Sequence, residues 1–555
     1  MYHVIYHMAR PFYYRTVKRF LARAANTRQI QRDVLMAKLR RNVDSDFGRQ
    51  HGFADIRTVD DFRRHLPISD YDYFRDYIER VKNGDVEAMF APGTKLLMFA
   101  LTSGTTNKSK YIPVTREFFE EYRRSWYIWG VRTYNDHRHL MGVKTLKLAS
   151  NWRQFDTPSG VPCGNISGLA TELAPWFTKP AFGLPKYAIR IDNAAAKHYT
   201  ALRISMTTRV GMIITANPST LLEFARMADA RSESLIRDIR DGTLSSEIDI
   251  PQEVREALRS TTGRKNPARA HELEKVIERT GTLYPRDFWP ISMLAVWMGG
   301  SVGVYLPLLK EFYGETSMRD HGLSASEGRM TIPIQDGTSA GILDYAGHYY
   351  EFIPHDEMDS QQPTVLEAHE LEEGKDYFIL LTTSSGLYRY NIHDVVRCVD
   401  FEGEAPVLQF LNKGANFSSF TGEKLSEFQV VSAVKSSYSE LDLEVESFTI
   451  APVIKDDRPG YVMLLEQHVG NRNNVELARR VEHHLKQLNL EYGEKLESGR
   501  LIPLAVQEIP TGTWHAYRKM RTSERGNFEE FKHPCLTSDL EFVPKIADLL
   551  TSEVL

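Results

Sequence analysis

The chain has 555 residues, 42% of them hydrophobic and 26% charged, with a formal charge of −4. That length exceeds what one ordinary core supports and calls for a large domain plus at least one smaller one. The charge balance lacks the basic surplus that nucleic-acid binding demands, which excludes nucleic acid as a main partner. Cys163, Cys398 and Cys535 stand far apart without C-x-x-C spacing, arguing against a disulfide framework or a zinc site and for a reducing, cytoplasmic setting. The opening stretch MYHVIYHMARPFYY is aromatic but broken by His3, His7 and Arg10, so neither a signal peptide nor a membrane helix is expected there.

Residues 14–41 are rich in helix formers, and Thr58-Val59-Asp60-Asp61 before Phe62 has the form of a capped helix start. Short β-rich runs follow: LLMFALT at 96, VGMIITA at 210, LAVWM at 294, YFILLTT at 377 and GYVMLLEQ at 460. Helical patterns such as Pro218 to Ala230 lie between several of them, which predicts an α/β fold with buried mixed sheets. The segment 401–424 mixes Gly, Ser, Asn and charge as a linker does, placing a boundary near Lys413. Beyond it, Val475, Val481, Leu485 and Leu488 fall at helical spacing between two β-rich runs, which predicts a small α/β C-terminal domain.

The stretch ALTSGTTNKSKYIPVT, 100–115, follows an apolar run and offers backbone N–H groups, hydroxyls and lysine charge, a combination suited to phosphate oxygens. It is not a Walker loop: counting from Gly104 puts Ser109 and Lys110 where Gly and Lys should stand. Further on, DHGLSASEGRM at 320–330 places Glu327 after small and hydroxyl residues; alone it reads as a surface turn, but beside a triphosphate loop a carboxylate is what Mg2+ needs. LLTTSSGLYRYNIHDVVRCVDF at 380–401 brings Arg389, His393 and Asp394 close together, as an ion pair on a hairpin or as a site where Asp394 accepts both ribose hydroxyls. No G-x-S-x-G elbow accompanies the His–Asp pair, so a hydrolase is set aside. The helix predicted from Thr115 carries Phe119, Tyr122, Trp126 and Trp129 on one face, a stripe that is usually core; Arg123 and Arg124 beside it are usually solvated.

TSGTTNKSKYIP resembles the T-S-G-T-T-G-x-P-K signature of the adenylate-forming superfamily, which includes firefly luciferase and the acyl-CoA synthetases. Together with DFGRQHGF at 46, TPSGVP at 157, DFWPISMLAVWMGGSVGVYLPLLKEFYG from 287, YYEFIP at 349, GLYRYNIHDVV at 386, FTGEKLSEFQV at 420 and FKHPCL at 531, it resembles the Gretchen Hagen (auxin-responsive promoter) family of acyl-acid amido synthetases over nearly the whole chain. The resemblance implies an adenylating domain over 1–412 with mixed sheets and flanking helices, a hinge at 413–424 and a small mobile α/β domain over 425–555, with ATP held between them. It implies triphosphate contacts from Ser103, Gly104, Thr105, Thr106 and Lys110, an adenine border at Leu323, Ser324, Ala325 and Ser326, Mg2+ and phosphate at Glu327, the ribose at Asp394, nucleotide contacts at Tyr388 and Arg389, and Lys532 at the reacting phosphate. Trp126 and Trp129 would border the acyl site. Four positions depart from the pattern: Asn107 and His393 replace glycines, Lys413 replaces an arginine at the hinge, and the arginine expected after Pro534 is absent.

The chemistry so implied is an ATP- and Mg2+-dependent ligase that joins a small carboxylic acid to AMP, expels pyrophosphate and passes the acyl group to an amine, with an amino acid as the expected acceptor. Rival readings are an acyl-CoA ligase with a thiol acceptor and a nucleotide-binding protein without turnover.

Overall fold

The computed structural model describes residues 15–102, 110–175, 178, 181–191, 193–299, 306–358, 360, 362–413, 417–443, 447–467, 472–517, 520 and 534–552. Two compact units divide the chain: Met1–Thr102 with Tyr111–Asn412, and Ser103–Lys110 with Lys413–Leu555. Among the described residues no helix is long and apolar enough to cross a membrane.

The predicted helical opening is present. Helix Val59–His65 starts on a capping box in which the Thr58 hydroxyl accepts from Asp61 N and the Asp61 carboxylate accepts from Thr58 N, satisfying two donors that a helix start leaves orphaned. Helix Tyr71–Lys82 is capped by Asp70 and buries Phe74, Ile78 and Val81, spaced so that they share one face. These helices cover the same core as the sheets that follow.

Four short strands, Lys144–Lys147, Val210–Ile214, Met293–Val296 and Ser317–Asp320, form an all-parallel sheet in that order. Every residue of Met293–Val296 is buried, which is why LAVWM reads as a continuous apolar run rather than an alternating one. A second, mixed sheet orders Lys110–Thr115, Leu96–Thr102, Pro162–Gly164 and Phe155–Asp156, its central pair parallel and its outer pair, Phe155–Asp156 with Pro162–Gly164, antiparallel. A third has seven strands, in the order Thr331–Ile332, Ala340–Leu343, Ala405–Lys413, Tyr390–Glu402, Asp376–Thr382, Tyr349–Pro354, Leu366–Glu367. This is the α/β architecture with mixed sheets that the sequence predicts.

One stretch departs from its expected role. Residues 401–413 read as linker, yet Ala405–Lys413 is an interior strand of the seven-stranded sheet, with Ala405 and Leu408 buried. Its glycine and charges gather at the turn before it, where Gly403 takes φ +62°.

In the second unit, strand Phe448–Lys455 pairs antiparallel with Arg458–Glu466, and Ala505–Ile509 joins the latter in parallel. A parallel neighbour requires a crossover, supplied here by helices Asn474–Leu488 and Leu490–Glu497. The buried face of the first is Leu477, Ala478, Val481 and Leu485; Val475, expected on that face, is 76% exposed in the first turn. Val481 and Leu485 are buried as expected and Leu488 packs against the same core, so Val475 alone falls off the predicted face.

Candidate active site

The six residues Ser324 to Arg329 form a tight hairpin, with Ser324 opposite Arg329 and Ala325 opposite Gly328. Ser326 and Glu327 are its two-residue tip. Gly322 turns the chain into the hairpin at φ +91°, where a Cβ would meet Thr331 O at 2.6 Å, so only glycine fits. The ends are tied by Leu323 N donating to Thr331 Oγ1 at 2.8 Å and by Leu323 O accepting from Met330 N at 2.8 Å. At the tip, Ser326 Oγ reaches Leu101 O at 3.5 Å, which puts the hairpin against the strand that leads into the hydroxyl-rich loop. Glu327 is 6% exposed.

Tyr390 links this tip to Asp394. Burial pushes the Tyr390 phenol well above its ordinary range, with Glu327 and Tyr71 adding to the rise, so Glu327 and Tyr71 lie within electrostatic reach of it and it keeps its proton. Tyr71 in turn accepts a hydrogen bond from Tyr111 N at 2.9 Å, next to Lys110, which opens the strand on the far side of the loop. Asp394 lies four residues beyond Tyr390 on the same strand, 3% exposed. Ser326 thus touches Leu101 and Tyr71 holds Tyr111, while Glu327 and Tyr71 act on Tyr390 through space. Ser103, Gly104, Thr105, Thr106, Asn107 and Lys532 lie outside the described residues.

His393 occupies the position at which the family pattern has glycine, and its φ is +59°. The left-handed backbone is retained although the glycine is gone. Asn391 supports it, its Oδ1 accepting from His393 N at 2.8 Å in an Asx-type turn.

Tyr388 and Arg389 are engaged within the fold. Arg389 donates from Nε to Glu351 at 2.9 Å and from Nη1 to Leu66 O at 2.8 Å, while Tyr388 stacks on Phe47 and accepts from Asn42 Nδ2 at 2.9 Å. Both anchor the turn that precedes the Asp394 strand, and Ser69 clasps the same turn by donating to Arg389 O and accepting from Asn391 N.

On the aromatic helix Arg116–Asp136, Trp129 is core: it is 2% exposed and its Nε1 donates to Asp320 O at 2.9 Å. Trp126 is half-buried, with the Arg329 guanidinium 4.0 Å over its ring and His321 edge-on at 4.5 Å. Arg123 and Arg124 remain on the exposed side, paired with Glu120 and Asp344.

The sequence reading missed Tyr71, Tyr390, His321 and Arg329. A signal existed for Arg329, a lone charge entering the apolar run MTIPI. None existed for Tyr71, brought in from a distant helix. Among the described residues no group of three metal-ligating side chains occurs; Glu327 by itself fits Mg2+, which usually takes one or two carboxylates and completes its shell with substrate phosphates and water.

Known proteins resemble this chain across its length. At the sequence level, it is 23% identical to an indole-3-acetic acid-amido synthetase, GH3.3 of Arabidopsis thaliana, over 95% of this chain and 91% of that protein. It is 24% identical to a jasmonoyl–L-amino acid synthetase, GH3.5 of Oryza sativa subsp. japonica, over 94% of each. Among solved structures, the acyl acid amido synthetase GH3.15 superposes with a TM-score of 0.64 at 20% identity, covering 95% of this chain and 93% of that one, which shows the same fold. The models of the GH3 family N-terminal, central and C-terminal domains match residues 16–318, 341–413 and 428–541. Three models in their native order, spread over most of 555 residues, leave one conclusion: this chain belongs to the GH3 family.

Proposed function

We propose that the protein is an ATP-dependent ligase that activates a small carboxylic acid as its acyl-adenylate and passes the acyl group to the amine of an amino acid. A carboxylate oxygen attacks the α-phosphorus of ATP, the bond to pyrophosphate breaks, and pyrophosphate leaves. The amine nitrogen then attacks the acyl carbon, the bond to AMP breaks, and an amide forms with loss of a proton. The named activities of the relatives support this reading, and the observation that carries it is the seating of the Ser326–Glu327 tip against the strand that leads into the hydroxyl-rich loop.

Each residue has an assigned task. Asp394 holds the ribose hydroxyls and the Leu323–Ser326 segment borders the adenine. Glu327 holds Mg2+, which when bound offsets charge on the phosphates, and Tyr390 supplies a protonated phenol beside it. Ser103, Gly104, Thr105, Thr106 and Lys110 are assigned to the triphosphate and Lys532 to the reacting phosphate, by sequence match. Tyr388 and Arg389 act by fixing the turn ahead of Asp394. Preorganised charge of this kind serves the transition state because nothing need reorient as negative charge moves.

The test is pyrophosphate exchange across a panel of carboxylic acids, with mass spectrometry of the products formed in an amino-acid pool. Acid-dependent exchange and amide products without coenzyme A are expected. Products that form only with a thiol acceptor would overturn the assignment.

A further inference from the structure

Arg329 is fully closed to solvent and forms no ion pair among the described residues. It donates Nη2 to His321 O at 2.8 Å and stacks over Trp126, but its Nε and Nη1 meet no acceptor among the described residues. Nδ1 of His321, in the ring edge-on to Trp126, is likewise unsatisfied. The other deeply buried arginines find acceptors: Arg319 pairs with Asp136 and Asp336, Arg389 pairs with Glu351, and Arg203 donates to the backbone oxygens of Thr243 and Thr262. Among the described residues no carboxylate lies within ion-pair distance of Arg329, although a buried charge is costly unless paired.

The surroundings add to the positive charge. Lys147 acts on His321 electrostatically, and burial pulls its own ammonium down to about 8. Two acids lie within electrostatic reach and both are engaged elsewhere: Asp344 accepts from Ser125 Oγ and faces Arg124 at 3.5 Å, and Asp320 is taken up by backbone donors, with Gly322 N and Met298 N each at 2.6 Å. Lys147 and Asp320 close two strands of the all-parallel sheet, and His321 follows directly. The carboxyl ends of parallel strands are where such sheets bind ligands.

The reacting carboxylate is a poor match for this cation. It becomes an uncharged ester-like group on adenylation, leaving the guanidinium unpaired midway through the reaction. A group that stays anionic through both half-reactions matches it.

We propose that Arg329, with His321 and Trp126, is a buried recognition site for a carboxylate that is not itself activated, carried either by a dicarboxylic acid substrate or by the amino-acid acceptor. This deepens the ligase reading and rests on it for the role of that carboxylate.

The test compares the wild type with Arg329→Met, which keeps the volume and removes the charge, and with Arg329→Lys. In the ligand-free protein Arg329→Met is expected to melt no lower than the wild type, because an unpaired buried charge has been removed; a lower melting temperature would assign Arg329 to structure and overturn the proposal. In pyrophosphate exchange, run without amine, a KM for isophthalate raised about tenfold or more in Arg329→Met assigns the carboxylate to the acid. A rise confined to the amino acid in amide formation assigns it to the acceptor. Arg329→Lys should fall between the two proteins. Unchanged KM values in both assays overturn the proposal. If the wild type supports exchange with no acid, the ligase reading fails separately, and calorimetric titration with isophthalate and with a pool of amino acids decides the site: weaker binding to Arg329→Met supports it, and equal or absent binding overturns it.

Discussion

Glu351 accepts a hydrogen bond from Arg389 Nε at 2.9 Å, in a place where the two residues are only 1% and 5% exposed. Its other oxygen accepts from Arg63 Nε, also at 2.9 Å. One carboxylate thus neutralises two cations beneath the turn that leads to Asp394. Replacing it leaves Arg389 buried and Arg63 part-buried without their counter-charge, so Glu351→Gln is expected to lower stability by about 3 kcal/mol. Calorimetric unfolding checks this, and a melt indistinguishable from wild type would refute it.

For the assigned nucleotide contacts, Asp394→Ala and Glu327→Ala are expected to cut acid-dependent pyrophosphate exchange about a hundredfold or more while leaving the far-ultraviolet spectrum and melting temperature near wild type. Wild-type exchange in either variant would remove that residue from the site.

His393 allows a sharper conformational test. With φ at +59°, the position is strained for a side chain, and more so for a branched one. His393→Gly relieves the strain but frees the unfolded chain, so its stability should stay within about 1 kcal/mol of wild type. His393→Val should lose roughly 2 kcal/mol. Equal melting temperatures for the two variants would contradict a left-handed residue there.

The acid side of the stability profile has a named contributor. Burial pushes the Glu121 carboxyl up, but Lys38 at 2.7 Å and His348 at 3.3 Å outweigh it, leaving the group at about 2, below the ordinary 4.5 of a glutamate. A carboxylate depressed in the folded state stabilises above its unfolded value and loses that contribution as pH falls toward its folded one. Unfolding free energy should therefore drop between about pH 5 and pH 2, by roughly 2–3 kcal/mol from this group. In Glu121→Gln that component of the slope should vanish, together with stability at neutral pH, because Lys38 is left buried alone. Chemical denaturation across the range measures both.

The local structure around the candidate residues was legible where chemistry and local sequence coincide. Glu327 and Asp394 sit in short motifs whose hairpin and strand are set by nearby residues, and the Thr58 cap was readable because both of its partners are three residues apart. Tyr71 and Glu351 were not readable as site or anchor residues, since their partners lie tens to hundreds of residues away. The strand Ala405–Lys413 was taken for linker because the polar turn ahead of it dominated the composition. Val475 misled for a related reason: periodicity gives the spacing of a buried stripe but not which apolar residue starts it.

Glu327 at the hairpin tip and Arg329 one step down its returning strand are two residues apart on a ribbon whose register Gly322 and Thr331 fasten. An insertion or deletion in that ribbon would displace both side chains at once, so the roles proposed for Glu327 and Arg329 cannot be re-tuned separately from there. Trp126 reaches the guanidinium from a separate helix and is under no such tie. Evolutionary drift in what this enzyme consumes should accordingly be written in the helix, with the ribbon held constant.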